Sequence, residues 1–188
     1  MAIRVISGKA KGRRLKLVPG DSTRPVMDRV KESLFNILGD WVRDSHWLDL
    51  FAGTGSVGIE ALSRGAASCL FLDLSREAVR TIHENLKTTG LEEDAEVRRA
   101  DALAFLDGIP DESSRFEVIY IAPPQYHSLW RQALERIDQQ IDWLLPDGIA
   151  IAQIDPREYE ELPLTHLRRY DERKYGNTLL CFYERVKN

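Results

Sequence analysis

The segment of residues 46–60 constrains the fold of this chain more than any other. It begins with a short apolar run, Trp47 to Phe51, which predicts a buried strand. Glycines at positions 53 and 55 follow, and then comes a helical pattern that carries Gly58. A Gly-x-Gly-x-x-Gly spacing between a strand and a helix is typical of loops that hold a nucleoside or nucleotide, because glycines let the backbone approach a ligand closely. The segment therefore predicts an α/β fold with a small ligand at the end of this strand.

Two carboxylates flank the glycine loop and favour one kind of ligand. Asp49 lies in the strand just before the loop, and Asp73 ends the next apolar run. Asp49 would repel a pyrophosphate but would attract the amine and sulfonium of S-adenosylmethionine. Asp73 can accept hydrogen bonds from two ribose hydroxyls, which NAD offers as well, or it can serve as an acid at a helix N-terminus. The pair favours a methyl donor and leaves a dinucleotide open.

Strands and helices alternate from Trp47 onward, which predicts a mostly parallel sheet with helices on both faces. The predicted strands lie near residues 47–51, 68–72, 95–99, 116–121 and 148–154. The predicted helices lie near residues 56–64, 75–88, 101–107 and 126–143. The alternation ends in two strand-like runs around Gly176, at residues 166–175 and 178–184, which predict a terminal antiparallel hairpin. This combination fits a methyltransferase better than a dehydrogenase.

The amino-terminal part of the chain predicts a small basic extension. Residues 3–7 and 13–18 surround a glycine-bounded loop and indicate a β-hairpin. A linker with turn residues follows, and a helix is expected to begin near Pro25. We therefore divide the chain into a hairpin extension with its linker, residues 1–24, and a main domain, residues 25–188. The apolar face of the first helix is expected to comprise Val30, Leu34, Ile37 and Leu38.

Charge is distributed unevenly along the chain. The net charge is −4, yet residues 1–43 hold ten Lys/Arg and four Asp/Glu, a balance of +6, so the remainder carries −10. A basic arm on an acidic body is typical of a phosphate-binding surface, although a solvated surface segment is an equally good interpretation.

Cysteines and apolar runs limit the setting of the protein. Cys69 and Cys181 lie far apart and form neither a disulfide framework nor a metal-ligand spacing, and the four histidines form no metal spacing either. No apolar run has membrane-spanning length, and the first residues lack the apolar core of a secretory signal. We expect a cytoplasmic, monomeric protein without a metal or a membrane partner.

Two further loops should lie at the carboxyl edge of the sheet, where ligands bind in such folds. One carries Asp101 and Ala102, which can read an adenine through the carboxylate and a backbone N–H, and Asp101 can equally cap the next helix. The other reads Ala-Pro-Pro-Gln-Tyr from Ala122 to Tyr126. Its prolines end the strand rigidly, and Tyr126 offers a face on which a base can stack.

At this point the chain resembles the RsmD-type bacterial 16S rRNA guanine-N2 methyltransferases, which carry an (Asp/Asn)-Pro-Pro-(Tyr/Phe) motif. The resemblance extends over nearly the whole chain. It is carried by residues 4–8, 11–15, 24–25, 28–36, 48–55, 58–65 and 173–178. It implies a class I Rossmann-like methyltransferase fold and transfer of a methyl group from S-adenosylmethionine to a guanine amine in 16S rRNA or an assembling 30S subunit.

The resemblance also implies roles for individual residues. Asp49, Gly53 and Gly55 would hold the methionine part of the cofactor, with Phe51 in the same site. Asp73 would hold the ribose, and Asp101 with Ala102 the adenine. The segment from Arg24 to Lys31 and the hairpin would face RNA phosphates, and the candidate contacts are Lys9, Lys11, Arg13, Arg14, Arg24 and Arg29.

The acceptor motif departs from the family pattern at Ala122, where the family has an acid or amide. The implied catalytic residues are Ala122, Pro123, Pro124 and Tyr126. In the family, the Asp/Asn side chain and the first proline carbonyl orient the target amine, so Ala122 removes one of two acceptors. Alternative interpretations are therefore an RNA-binding homologue with weak or lost catalysis, or a methyltransferase with another acceptor, such as DNA adenine or a small molecule.

Overall fold

The structure is a computed structural model that describes residues 2–20 and 26–187. The chain divides into two units, residues 1–100 and 101–188. The domain boundary predicted at residue 24 falls among the residues that the structure does not describe and stays a prediction. No helix in the described part of the chain has the length and apolar character that a bilayer crossing needs.

Within residues 2–20 and 26–100, the first unit contains a small hairpin, three parallel strands and three helices. The bounds are β1 Ile3–Arg4, β2 Arg14–Leu15, α1 Asp28–Leu38, β3 His46–Asp49, α2 Ser56–Ser63, β4 Ser68–Asp73, α3 Arg76–Thr89 and β5 Ala95–Arg99. Short 3-10 turns lie at Gly39–Val42 and Glu92–Asp94. Strand β4 lies between β3 and β5 and is parallel to both, with Leu48 opposite Leu70. The carboxyl ends of β3 and β4 therefore meet at one edge, which carries the glycine loop and Asp73.

Burial on both faces explains why β3 and β4 read as continuous apolar runs. Trp47, Leu48, Phe71 and Leu72 are all fully buried, as expected for parallel strands covered by helices on both sides. Helix α2 is buried along its whole length. Gly58 lets it approach the sheet, since a Cβ at that position would lie 2.3 Å from Phe71 Cε1.

The amino-terminal hairpin forms, but its strands are only two residues long. Ile3 pairs with Leu15 and Arg4 with Arg14 in antiparallel register. Strands of residues 3–7 and 13–18 were expected, and that expectation was wrong because the backbone leaves the ladder to bind α2. The N–H groups of Ile6 and Ser7 donate to the Glu60 carboxylate at 2.9 and 3.1 Å.

Helix α1 ends at Gly39 as predicted, but its buried face differs from the expected one. Val30, Leu34 and Leu38 are buried, whereas Ile37 is 38% exposed. Lys31 is fully buried beside them and pairs with Glu60 at 3.4 Å. Its place in the segment implied to face RNA phosphates was therefore wrong, because its ammonium group points into the protein and is engaged in a buried ion pair. Pro25 lies outside the described residues.

The described part of the second unit, residues 101–187, contains four strands and two helices. The bounds are α4 Ala102–Leu106, β6 Phe116–Ile121, α5 Leu129–Gln139, β7 Leu144–Ile154, β8 Leu167–Tyr175 and β9 Thr178–Arg185, with 3-10 turns at Ile141–Trp143 and Pro156–Glu158. The strand order is β6-β7-β9-β8, in which β6 and β7 are parallel and β9 is antiparallel to both of its neighbours. The terminal hairpin is therefore confirmed, and both units show the predicted parallel strands alternating with helices.

The element with the largest error is the helix predicted over residues 126–143. It spans only Leu129–Gln139, because Tyr126 and Ser128 both have positive φ, of 66° and 54°. Left-handed residues cannot continue a right-handed helix. After residue 139 the chain makes a 3-10 turn and enters β7 at Leu144, four residues earlier than predicted.

We expect Gly58→Ala to lower the free energy of unfolding by about 1–3 kcal/mol, because the added methyl overpacks the contact with Phe71 Cε1. Alanine is the better helix former by about 1 kcal/mol, so a loss of stability reports the clash and not the helix. Urea unfolding measures the effect. The double variant with Phe71→Leu should lose less than the sum of the two single variants, and strict additivity would contradict the assigned contact.

Candidate cofactor and acceptor sites

The glycine loop is a left-handed turn that only glycine adopts readily. Gly53 and Gly55 have φ of 57° and 78°, in the region where a Cβ is disfavoured. The Gly55 N–H donates to the Ala52 carbonyl at 2.8 Å, and Gly55 then precedes the first residue of α2. Phe51 is half-buried just before the turn. The loop thus places partly buried main chain and the positive end of α2 beside the carboxyl end of β3.

Asp73 fastens this loop to the end of β4. Its Oδ2 accepts from the Gly53 N–H at 2.9 Å, and its Oδ1 accepts from the Ser75 N–H at 2.9 Å. Each carboxylate oxygen has a further lone pair, so the half-buried Asp73 can still accept ribose hydroxyls. The residue that caps α3 is Ser75, whose Oγ accepts from the Ala78 N–H at 3.3 Å. The helix-terminus interpretation of Asp73 is therefore unnecessary.

Asp49 is a carboxylate with an altered pKa. It is only 2% exposed, and burial raises its pKa to about 7. The Gly58 N–H, 3.3 Å from Oδ2, opposes this shift, and the nearby charge of Asp73 adds to it. A cationic ligand beside this buried carboxyl group would bind favourably, because the two opposite charges attract and the ligand stabilises the ionised form of the carboxyl group.

Asp101 acts as a helix cap in the second unit. Its Oδ1 accepts from the N–H groups of Leu103 and Ala104 at 2.9 and 3.1 Å. The carboxylate is exposed, and Ala102 is buried as the first residue of α4. The capping interpretation is confirmed. Because both cap bonds go to one oxygen, the cap is compatible with the adenine contact, which stays a prediction.

The Ala122–Tyr126 loop leaves the end of β6 as a strained turn. Ala122 and Pro123 are half-buried, and the three residues after them are exposed. Tyr126 has a φ of 66° and a side chain that is 58% exposed. A bulky residue in the left-handed region is uncommon and persists only where its surroundings hold it there.

A charged network that the sequence analysis did not identify holds Tyr126. The Tyr126 N–H donates to Glu158 Oε1 at 2.7 Å, and its hydroxyl donates to Asp155 Oδ2 at 3.0 Å. Arg157 donates to the same hydroxyl at 2.6 Å and pairs with Asp155 at 2.9 Å. The Arg157 guanidinium holds the pKa of Asp155 well below its usual range, while the bond to Asp155 raises the pKa of Tyr126.

A recognisable sequence signal marks this network. Asp155 and Glu158 form a capping box around Pro156, with the proline at the start of the short helical turn. Acid-Pro-x-Glu is a helix-start pattern that can be found by inspection. What the pattern does not reveal is that the turn it starts binds Tyr126.

The candidate RNA contacts are exposed where the structure describes them. Lys9 and Lys11 lie in the hairpin loop, Arg13 and Arg14 lie at β2, and Arg29 lies on α1. Arg24 lies outside the described residues.

Comparison with known proteins identifies the family of this chain. Residues 3–184 match a family model described as conserved hypothetical protein 95. The chain is 42% identical to YlbH of Bacillus subtilis, provisionally named an rRNA methyltransferase, over 97% of this chain and 99% of the relative. It is 36% identical to ribosomal RNA small subunit methyltransferase D of Haemophilus influenzae, over 81% of this chain and 79% of the relative. The chain belongs to the family that this model describes. Its resemblance to the RsmD-type methyltransferases, stated above from the sequence, is confirmed.

Solved structures show the same fold. The Escherichia coli protein yhhF, provisionally described as a methyltransferase, has a TM-score of 0.86 and 28% identity over 98% of both chains. An RNA methyltransferase from Salinibacter ruber in complex with S-adenosyl-L-homocysteine has a TM-score of 0.63 and 15% identity, over 85% of this chain and 92% of that chain. The predicted class I Rossmann-like methyltransferase fold is thereby confirmed.

We expect Asp49 to make the stability of the protein decrease as pH rises. An unperturbed aspartate has a pKa of 3.8, whereas that of Asp49 is about 7 in the folded chain, so the folded state keeps a proton that the unfolded chain loses. Between pH 4 and pH 7 the free energy of unfolding should fall by about 3–4 kcal/mol relative to Asp49→Asn, at about 1.4 kcal/mol for each unit of pKa. Urea unfolding across this range measures it. Parallel pH profiles for the two proteins would contradict the assignment.

Proposed function

We propose that this protein transfers a methyl group from S-adenosylmethionine to the exocyclic amine of a guanine in 16S rRNA. The observation that carries the proposal is the glycine loop fastened by Asp73 beside the buried Asp49, in a chain related to ribosomal RNA small subunit methyltransferase D. The substrate would be the rRNA or the assembling 30S particle, which places the reaction in the cytoplasm.

The residues around the loop fit S-adenosylmethionine. The buried Asp49 carboxylate gains a cationic partner from the amine or sulfonium, and Asp73 retains lone pairs for the ribose. Gly53, Gly55 and Phe51 would complete the site for the methionine part, and Asp101 with Ala102 would bind the adenine. The cofactor supplies a methyl group that its sulfonium already activates, so the protein has chiefly to position the donor and the acceptor.

The acceptor base would be bound at the Ala122–Tyr126 loop. The target guanine has to leave its stack at a cost of a few kcal/mol, about the amount that stacking on one aromatic ring returns. The Tyr126 side chain is 58% exposed, and the Arg157 guanidinium lies over one face of its ring, 5.8 Å from the centroid. The hydroxyl is fixed by Asp155 and Arg157, so little freedom would remain to be lost when a base stacks on the other face. The Pro123 carbonyl would accept a hydrogen bond from the amine and direct its lone pair toward the methyl group. Pro124 keeps this carbonyl rigidly placed.

The basic amino-terminal surface would bind RNA phosphates. Lys9, Lys11, Arg13 and Arg14 are exposed on a hairpin whose backbone is fixed to α2, and Arg29 is exposed on α1. Such contacts give affinity and register without reading the sequence. From the sequence alone, Arg24 is proposed as a further contact with RNA phosphates.

The direct test is methyl transfer to 30S particles from cells that lack this gene. We expect labelled S-adenosylmethionine to modify the particles, and nucleoside mass analysis to identify N2-methylguanosine. Asp49→Asn should weaken cofactor binding by about tenfold or more, since it removes a charge-assisted contact while it keeps the shape of the side chain. The exposed His83→Ala on α3 serves as the control and should act like wild type. Cofactor binding without any incorporation would refute the enzymatic proposal.

Ala122 favours a second candidate, an RNA-binding homologue with weak catalysis. If the site lacks one of two acceptors for the amine because position 122 is an alanine, Ala122→Asp should raise the rate of methyl transfer about 10²–10³-fold. This magnitude is taken by analogy from the loss of one oxyanion-hole hydrogen bond. The single-turnover rate on the same 30S particles measures this. Ala122→Ser, which restores little acceptor reach, is the matched control. A rate that falls in Ala122→Asp would show instead that the loop is built for another geometry.

A further inference from the structure

We propose that Asn85 is a positioning residue that joins the amino-terminal hairpin to the glycine loop, so that RNA bound at the hairpin strengthens cofactor binding at the loop. The inference rests on the proposed function, because it assigns RNA to one element and the cofactor to the other.

The contacts of Asn85 connect the two elements directly. Asn85 lies on α3 and is fully buried. Its Oδ1 accepts from the Lys16 N–H at 2.7 Å, and its Nδ2 donates to the Lys16 carbonyl at 3.1 Å. The same Nδ2 donates to the Thr54 carbonyl at 2.9 Å. One side-chain amide therefore holds the residue that follows β2 and the residue between the two glycines of the loop.

A second buried side chain makes a parallel connection. The Lys31 Nζ donates to the Arg4 carbonyl at 2.6 Å and to Ser56 Oγ at 3.0 Å. Arg4 belongs to β1, and Ser56 is the first residue of α2, directly after Gly55. The two strands of the hairpin are thus each tied to the glycine loop or to the helix that begins at its end.

The hairpin depends for its order on its contacts with the rest of the first unit, through Asn85 and Lys31 and through the Glu60 carboxylate. Its ladder has only two residue pairs, and an isolated two-stranded hairpin is marginal in water even when it is longer. Because Asn85 and Lys31 join the two elements, whichever ligand binds first restrains the hairpin and the loop together. The second ligand then binds with a smaller loss of conformational entropy, which gives positive coupling. By linkage the cofactor must strengthen RNA binding by the same factor.

The test compares the Kd of S-adenosylhomocysteine with and without saturating unmodified 30S particles. Coupling of this kind is typically about 5–150-fold, so we expect the particles to tighten binding by about fivefold or more in the wild type. Asn85→Ala should bring this ratio close to one. A purely structural role would weaken binding equally in both conditions and leave the ratio unchanged. His83→Ala, on the exposed side of the same helix, should keep the wild-type ratio.

Two further measurements keep the inference testable if Asn85→Ala does not fold. Asn85→Asp preserves the size of the side chain and the acceptor for the Lys16 N–H but removes the donor to the carbonyls of Thr54 and Lys16, so it should also reduce the ratio. In the wild type without RNA, S-adenosylhomocysteine should slow hydrogen exchange at the Lys16 amide, and an unchanged exchange rate would overturn the inference.

The outcomes separate this inference from the proposed function. If both ligands bind and methyl transfer occurs, but the wild-type ratio is one, the coupling is refuted and the proposed activity stands. If the 30S particles do not bind at all, both are refuted.

Discussion

The buried carboxylate of Glu60 is the interaction on which the first unit depends. It is fully buried and accepts from the N–H groups of Ile6 and Ser7, from Arg64 Nε at 2.9 Å, and pairs with the buried Lys31. Taking such a charge out of water costs several kcal/mol, which is offset only when every lone pair has a donor. Desolvation lowers the pKa of Lys31, while Glu60 opposes that shift. The carboxylate thus determines where the hairpin backbone, α1 and α2 must lie.

Because α2 begins at the glycine loop, this arrangement also determines how the donor side of the proposed reaction is built. The loop has few side chains of its own, and its shape comes from left-handed glycines and from Asp73 and Asn85, which bind its main chain. Main-chain groups held in this way have less freedom to lose when a ligand arrives than those of an unattached loop, and such preorganisation raises affinity. Gly58 contributes by letting α2 pack directly on Phe71.

The proposed acceptor side, in the second unit, is organised on a different principle. Here a left-handed tyrosine is held by charged side chains that are themselves fixed by a capping box. The bonds to Asp155 and Arg157 fix the hydroxyl, and the Arg157 guanidinium lies over one face of the ring, while the side chain is 58% exposed. If Ala122 has cost the site one acceptor, the rigid loop and the restrained ring are the features that remain to orient a base. This division fits a reaction in which the donor is already activated and the acceptor has to be placed.

Local sequence patterns predicted most of the elements and the place of the glycine loop. The first four strands of the alternating region end within two residues of their predicted ends, because buried parallel strands and capped helices carry their signals in neighbouring residues. The glycine loop likewise follows from the spacing of Gly53 and Gly55, while the cofactor contacts of Asp49 and Asp73 stay predictions. The helix predicted over residues 126–143 was too long because apolar spacing does not report a positive φ at Tyr126.

The sequence by itself determined the fold class, the family and the residue types at the candidate cofactor loop, since these depend on periodicity and short spacings. Only the tertiary structure decided what distant polar residues do. It buries Lys31 against Glu60, joins Asn85 to both Lys16 and Thr54, and binds Tyr126 to Asp155 across 29 residues of chain. The physical reason is that a buried polar group needs a hydrogen-bonding partner, and that partner can come from any segment that the fold brings near it. Such long-range pairs produce no periodic pattern in the sequence.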